Sequence, residues 1–454
     1  RLRAGMEHTR LRLHPGERIR TPRIVLLPWE GDRVRAHNLF RRLVLFKYAP
    51  RINGQVPRLP IALQTYDRYN SRPGWATQAG QLQAVETAHQ LGCDTYWLDA
   101  AWFPGNFPNG VGNWFHKPAE FPNGLKPIGD ACAQRNMRFV LWFEPERVAP
   151  GSQIATEHPE FVLGGEKGGL FNLGDPAARR WLTDLLSQRI DEYGVTIYRN
   201  DFNMDPLSFW REHDTPEREG MTEIRYVEGL YEMWDELRAQ HPGLLIDNCS
   251  SGGRRIDIEM CARSVPFWRS DTNCTPGHAD WNQLQSAALM RYVPLNLACA
   301  WTPGPYEMRS AATGGLLCQF AYMDENFPYA EAQRLITEAR KNTAYWYGDF
   351  YLLTSPTTAP DQFMAWQLHR PDLDAGIVLA FRRRECNYLG LILGLRQLQS
   401  AKQYSVRIES ESGAATEHVM SGEELMSDFA LRLNEYETSL LVRYAVSGRE
   451  GETS

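Results

Sequence analysis

The chain lacks the marks of several large function classes. Its eight cysteines, Cys93, Cys132, Cys249, Cys261, Cys274, Cys299, Cys318 and Cys386, form no C-x-x-C pair and no zinc-ligand spacing, so the reading they favour is free, buried thiols in a reducing compartment. No run of about eighteen apolar residues occurs, which excludes a membrane-spanning helix. Lys and Arg (49) are outnumbered by Asp and Glu (55), giving a formal charge of -6, and no basic stripe of the kind nucleic acid requires is present. Neither G-x-G-x-x-G nor G-x-S-x-G appears, and His116, His213 and His278 stand alone; no cofactor and no metal are therefore expected. Internal repeats and low-complexity stretches are also missing. The first residues, Arg1-Leu-Arg-Ala-Gly5, are not a signal peptide and carry no initiator Met. A bacterial cytoplasmic location is the expectation, with export left open because the chain reads as cut from something longer.

What is present fits an enzyme of two or three domains. The chain has 454 residues, 43% of them hydrophobic and 23% charged, ordinary for a soluble globular protein with sizeable cores. Residues 1–58 hold strand-like pieces (Thr9–Leu13, Arg23–Leu27) and a helical run through Asn38–Leu45, too little for an independent sandwich and read as the remnant of one plus a linker helix. From 59 to 347 the pattern alternates strand and helix. Its eight strand candidates are Ile61–Tyr66, Thr95–Asp99, Phe139–Phe143, Val195–Tyr198, Leu244–Asp247, Ser264–Arg269, Pro294–Ala298 and Leu317–Tyr322, with helical intervals such as Gln78–Leu91, Ala177–Tyr193 and Glu223–Gln240. That order predicts an α/β chain with a (β/α)8 barrel. Short alternating runs from 348 to 446 (Gly376–Phe381, Leu389–Leu393, Thr438–Val442) predict a C-terminal antiparallel β-sandwich, and 447–454 a frayed tail.

The chemistry is concentrated at strand ends. Tyr198-Arg-Asn-Asp-Phe-Asn203 and Trp268-Arg-Ser-Asp-Thr272 are both β-like runs ending on a carboxylate. A parallel strand is buried along its length and opens to solvent at its carboxyl end, so an acid there can reach a substrate. In order, the strands end on Asp99, Glu144 with Glu146, Asp201, Asp247 and Asp271. Five such ends describe a carboxylate-lined mouth suited to a polyol whose hydroxyls need strong acceptors. Two carboxylates facing one cleft suggest bond cleavage by an acid and a nucleophile.

The motifs Trp142-Phe-Glu-Pro-Glu146, Phe121-Pro-Asn-Gly-Leu-Lys-Pro127, Asn248-Cys-Ser-Ser-Gly-Gly253 with Arg255, and Ser270-Asp271 occur in this order. Through them the chain resembles the glycoside hydrolase family 36 α-galactosidases, in the clan of families 27 and 31, from about residue 10 to 445. The resemblance implies a retaining exo-α-glycosidase with Asp201 as nucleophile and Asp271 as acid/base. It also implies a carbohydrate substrate bound by Asp99, Trp142, Arg199, Asn203 and Trp268. The loop Cys249, Ser250, Gly252, Gly253 with Arg255 is implied to contact the hydroxyl at carbon 2. A homo-oligomer is compatible with this reading; nucleic acid and membrane are not expected as partners.

Plainer readings of the same residues stay open at this stage. Asp201 can cap the following helix, Asp257 or Asp205 can take the role of Asp271, the Cys249–Gly253 stretch can be a simple tight turn, and Trp142 can be barrel core. Glu144 and Glu146 can be buried orienting groups held by Arg147 or another Arg. Departures from the family pattern fall on recognition. Asp99 is followed by Ala100 where the family has a second Asp gripping the hydroxyls at carbons 4 and 6. Arg199-Asn200 replaces Lys-Trp, the first-strand Trp is lost near Tyr66-Asp67, and Lys167 lies in a short loop where an Arg is expected. These changes raise two alternatives: an α-N-acetylgalactosaminidase or other modified-galactoside specificity, and a transglycosidase or non-hydrolytic carbohydrate-binding protein.

Overall fold

A computed structural model describes residues 3–448 of the chain. Eight parallel strands close a barrel: β1 Ile61–Leu63, β2 Thr95–Leu98, β3 Arg138–Phe143, β4 Ile197–Asn200, β5 Leu245–Asn248, β6 Phe267–Trp268, β7 Asn296–Ala300 and β8 Gly315–Cys318. Each pairs with its neighbour in sequence, and β8 pairs with β1 through Leu317 and Ala62. Every residue of β2, β4 and β5 is buried, as a strand covered by helices on one face and barrel core on the other requires. Helices such as Gln78–Leu91, Pro176–Tyr193 and Met221–Gln240 form the outer ring. The first two end on Gly92 and Gly194 in the left-handed conformation, where glycine carries no Cβ penalty.

The expected elements differ from the observed ones mainly at their ends. Ser264–Arg269 shortens to Phe267–Trp268, because Pro266 has no N–H for the ladder and Arg269 already turns towards the helix Ala279–Leu289, donating to Ser286 and Asn282. At the N-terminus Arg23–Leu27 forms no strand and leaves Ile24 and Leu26 exposed; no partner strand lies beside it among the described residues. Only Arg10–Leu11 pairs, with Arg218–Glu219. The helical run begins at Arg33, capped by Asp32, and continues into a π-helix over Val44–Tyr48.

Beyond the barrel, β9 Asp349–Leu352, β10 Phe363–Arg370, β11 Ala375–Arg382, β13 Gln403–Glu409, β14 Ala415–Ser421 and β16 Thr438–Val446 make a six-stranded antiparallel sheet. It is faced by a two-stranded sheet of β12 Gly390–Leu393 and β15 Phe429–Arg432. Of the expected tail, Ser447 and Gly448 form a turn and 449–454 lie outside the described residues.

Buried arginines fasten the sheet to the barrel. Arg309, on the helix Pro305–Ala311, is 2% exposed. It pairs with both oxygens of Glu338 at 2.8 and 2.7 Å and donates to the carbonyls of Ser439 and Ser410 in the sheet domain, both at 3.1 Å. Removing one partner of a buried pair leaves the other charge uncompensated. Arg309→Ala should therefore destabilise the chain by about 3–5 kcal/mol, read as a lowered urea midpoint; an unchanged midpoint would show that the clamp carries no stability.

Candidate active site

The carboxyl ends of the strands open into one pocket. Its wall includes Asp99, Trp142, Arg199, Asn203, Trp268, Asp201 and Asp271, together with Gln64, Tyr66, Asp67, Trp97, Ala100, Phe107, Cys274 and Leu317. Both carboxylates singled out from the sequence therefore face the same space.

Asp201 follows β4 directly and is held on both oxygens. Its Oδ2 accepts from Asn203 Nδ2 at 3.0 Å and Trp142 Nε1 at 3.2 Å, while Oδ1 accepts from the backbone N–H groups of Phe202 at 2.8 Å and Ser251 at 3.4 Å. Burial pushes this carboxyl up, but the Arg199 guanidinium and the Asn203 hydrogen bond outweigh it, so it stays below the ordinary Asp value. Asp271 moves the other way. Burial first, and then the charge of Asp201, raise it against a 2.9 Å hydrogen bond from Trp268 Nε1. One pocket thus keeps one carboxyl ionised and favours a proton on the other, the pattern that separates a nucleophile from an acid.

Arg199 is buried between two indoles, its guanidinium 4.6 Å from the Trp97 ring and 5.5 Å from that of Trp268. It pairs with Asp247 at 2.5 Å. Burial raises Asp247 to about 6, with Arg199 pulling it back. Asp99 is likewise raised by burial and opposed by Arg199.

The loop after β5 reaches the site through its backbone. Ser251, Gly252 and Gly253 have φ of 44, 79 and 88°, three successive left-handed residues. A Cβ at Gly252 would lie 2.4 Å from the Asp271 backbone nitrogen, and one at Gly253 would lie 2.8 Å from the Arg269 carbonyl oxygen. Only glycine permits that approach. Cys249 and Ser250 are buried; the Ser250 hydroxyl donates to the Phe202 carbonyl at 3.4 Å. Neither residue lines the pocket. Arg255 is set behind it, gripping Glu146 at 2.6 and 2.7 Å. Glu146 also accepts from Tyr226 at 2.5 Å and from Asn200 at 3.1 Å. Glu144 accepts from Arg147 at 2.6 Å and from the Asn203 backbone at 2.5 Å, and burial lifts it to about 7.

The residues weighed as substitutes for Asp271 lie elsewhere. Asp257 caps the helix Ile258–Cys261, accepting from the Met260 N–H at 3.0 Å, and Asp205 is exposed and accepts from the Leu207 N–H at 3.1 Å. Lys167 is exposed and is not part of the pocket wall. Trp142 is 2% exposed and stacks on Phe103 with centroids 5.9 Å apart, so it is both core and pocket wall. Gln64, Trp97, Phe107, Cys274 and Leu317 were not anticipated. The signal available for Gln64 and Trp97 was their place at the carboxyl ends of the strand candidates Ile61–Tyr66 and Thr95–Asp99; Phe107 and Cys274 come from segments whose path no periodicity announces. Among the described residues no group of three or more His, Cys, Asp or Glu side chains is arranged to hold a metal ion, and no helix is long and apolar enough to cross a membrane.

Because Arg199 is the largest influence lowering the Asp201 carboxyl, Arg199→Gln should move the acid limb of kcat/KM to higher pH, while Arg199→Lys, which retains the charge, should move it less. A pH profile with an unchanged acid limb in Arg199→Gln would separate the two groups.

A family model described as Melibiase matches residues 53–294. Alpha-galactosidase 2 of Pediococcus pentosaceus is 32% identical over 224 residues, which are 47% of this chain and 31% of that protein. Alpha-galactosidase AgaA of Geobacillus stearothermophilus is 24% identical over 428 residues, 87% of this chain and 56% of its own length. The chain thus spans between about a third and just over half the length of these relatives. Among solved structures, a variant of the GH36 alpha-galactosidase AgaA from the same organism in complex with raffinose superposes with a TM-score of 0.78 at 21% identity, over 90% of this chain and 58% of that one; at that identity the likeness speaks to the fold. With the family match covering more than half of the chain and the barrel, sheet domain and ordered motifs in agreement, the chain belongs to the melibiase family, the α-galactosidases of glycoside hydrolase family 36.

Proposed function

We propose that this chain is a retaining exo-α-glycosidase acting on terminal α-linked galactose-type residues of oligosaccharides or glycoconjugates. The observation that carries the reading is that two strand-end carboxyls line one pocket in environments that shift them in opposite directions, Asp201 down and Asp271 up. The Asp201 carboxylate attacks the anomeric carbon as the bond to the departing oxygen breaks, and Asp271 gives that oxygen its proton. The product is a glycosyl ester on Asp201. Water then attacks the same carbon, Asp271 takes a proton from it, and the Asp201 ester oxygen leaves, so two inversions retain configuration. Asn203 and Trp142 orient the nucleophile; Trp268 orients the acid.

A modified galactoside is the second reading. It is favoured by Ala100, a methyl group on the pocket wall where the family pattern has a carboxylate. A panel of nitrophenyl α-glycosides, including the N-acetylgalactosaminide, distinguishes the two by relative kcat/KM.

Asp201→Ala should abolish hydrolysis, and Asp201→Gly with added azide should release a glycosyl azide, because an external anion can fill the space of a missing nucleophile; near-normal turnover of Asp201→Ala would sink the assignment. Asp271→Ala should lose about 10²–10⁴-fold on substrates with poor leaving groups and far less on activated aryl glycosides, which need no proton. Equal losses on both classes would remove Asp271 from the acid role.

A further inference from the structure

Two carboxylates on the pocket wall, Asp67 and Asp99, take no part in the proposed reaction. Asp67 lies in the short helix Tyr66–Tyr69 that follows β1, and it faces the same space as Asp201 and Asp271. Its Oδ2 accepts a 2.6 Å hydrogen bond from Gln319 Nε2, just past β8, and no other hydrogen bond or ion pair reaches the carboxylate among the described residues. The partner is itself incompletely bonded, since the buried Gln319 Oε1 has no partner. Burial, and next the charge of Asp99, raise Asp67 to about 7. Gln319 thus engages only one of the two Asp67 oxygens.

Asp99, the neighbouring acid, is already well occupied. Its Oδ1 accepts from the Ala100 N–H at 2.9 Å, and its Oδ2 accepts from Trp97 Nε1 at 2.9 Å and Gln64 Nε2 at 3.3 Å. Three protein donors leave little of a carboxylate's capacity of about four hydrogen bonds. The next residue, Ala100, offers none. Of the two acids at the ends of β1 and β2, Asp67 is the one with an oxygen, Oδ1, that accepts no protein hydrogen bond among the described residues.

We propose that Asp67 is a specificity-determining residue that accepts a hydroxyl of the terminal sugar, taking over from strand β1 the contact that a carboxylate at position 100 would make from β2. The inference rests on the glycosidase reading and specifies it: the ligand is a galactose-type pyranose that presents its carbon-4 or carbon-6 hydroxyl to this wall. A change of wall also alters the direction from which that hydroxyl is held, so an Ala at position 100 need not mean a weakly bound sugar.

The test is kcat and KM of the wild type, Asp67→Asn and Asp67→Ala on nitrophenyl α-galactoside and on its 4-deoxy and 6-deoxy analogues. Asn keeps the shape and an acceptor for Gln319 while removing the charge, so it guards against a variant that simply fails to fold. A charged hydrogen bond lost to a sugar hydroxyl should lower kcat/KM on the parent galactoside about tenfold or more, chiefly through KM, and the loss should vanish on the one deoxy analogue that lacks the contacted hydroxyl. A structural role would depress all three substrates alike. Equal losses on all three, or none on the parent, overturn the role of Asp67 and leave the hydrolase reading standing. If instead the wild type turns over no α-glycoside, the hydrolase reading fails, and binding of galactose and its deoxy forms by ligand-observed NMR reads Asp67 directly. There, absent binding or equal binding to wild type and Asp67→Asn overturns the proposal; weakening confined to sugars bearing the contacted hydroxyl supports it.

Discussion

Arg199 lies 5% exposed at the end of β4, clasped between the rings of Trp97 and Trp268 and paired with Asp247, and its charge lets Asp99, Asp201 and Asp247 share a small buried space. Each of these acids is pushed up by burial, and for each the guanidinium is the largest opposing influence. In Asp201 the opposition wins because Asn203 and backbone N–H groups add to it. In Asp99 and Asp247 burial wins. Beside the same cation, neighbouring carboxyls therefore shift in opposite directions, according to how far their other donors add to its pull. A guanidinium suits this place better than an ammonium, since it lies 4.6 and 5.5 Å from the two indole centroids while one of its nitrogens pairs with Asp247.

Behind that layer is a second one built around a fully buried carboxylate. Glu146, fully buried, collects Arg255, Tyr226 and Asn200, tying the end of β3 to β4, to the helix Met221–Gln240 and to the loop after β5. A buried charge is tolerable when every lone pair is used, and a network of this kind rigidifies what it joins. It fixes the loop whose Ser251 N–H meets Asp201 and whose Gly252 lies against Asp271. The Trp142-Phe-Glu-Pro-Glu146 segment thus acts largely from behind the pocket: Trp142 and Glu144 hold Asp201 and Asn203, and Glu146 holds the loop.

Apart from Arg199, the departures from the family pattern that reach the pocket lie at the ends of β1 and β2. Asp201, Asn203, Trp268, Asp271 and the glycine loop form one side, in mutual contact through hydrogen bonds and close backbone approach. Ala100, Asp67 and Gln64 belong to the ends of β1 and β2 across the pocket. A change on that second side leaves the hydrogen bonds of the first intact. Recognition is free to drift there, because the hydrogen bonds on Asp201 and Asp271 come from Asn203, Trp142, Trp268 and backbone N–H groups on the other side.

The alternation of strand and helix and the acids at strand ends were legible without coordinates, because parallel strands are buried throughout and open only at their carboxyl ends. Asp99, Asp201 and Asp271 could be named for that reason. Their order along the chain also fixes their order around the barrel, since sequential strands pair with their neighbours. Strand limits were less legible: β6 shrinks to two residues at Pro266, and Arg23–Leu27, apolar and β-branched, forms no strand because a strand requires a partner that local composition cannot supply. The protonation of Asp201 and Asp271 was beyond the sequence, as it depends on where Arg199 lies between two indoles from β2 and β6. Asp67 was out of reach for the same reason. It stands in a four-residue helix with no motif around it, and only closure of β8 against β1 brings Gln319 to one of its oxygens. Strand order alone named the acids that end the barrel strands; which of them share one charged pocket, and which loop residues join them, came only with the closed barrel, because distance and burial between residues far apart in the chain do not exist before it.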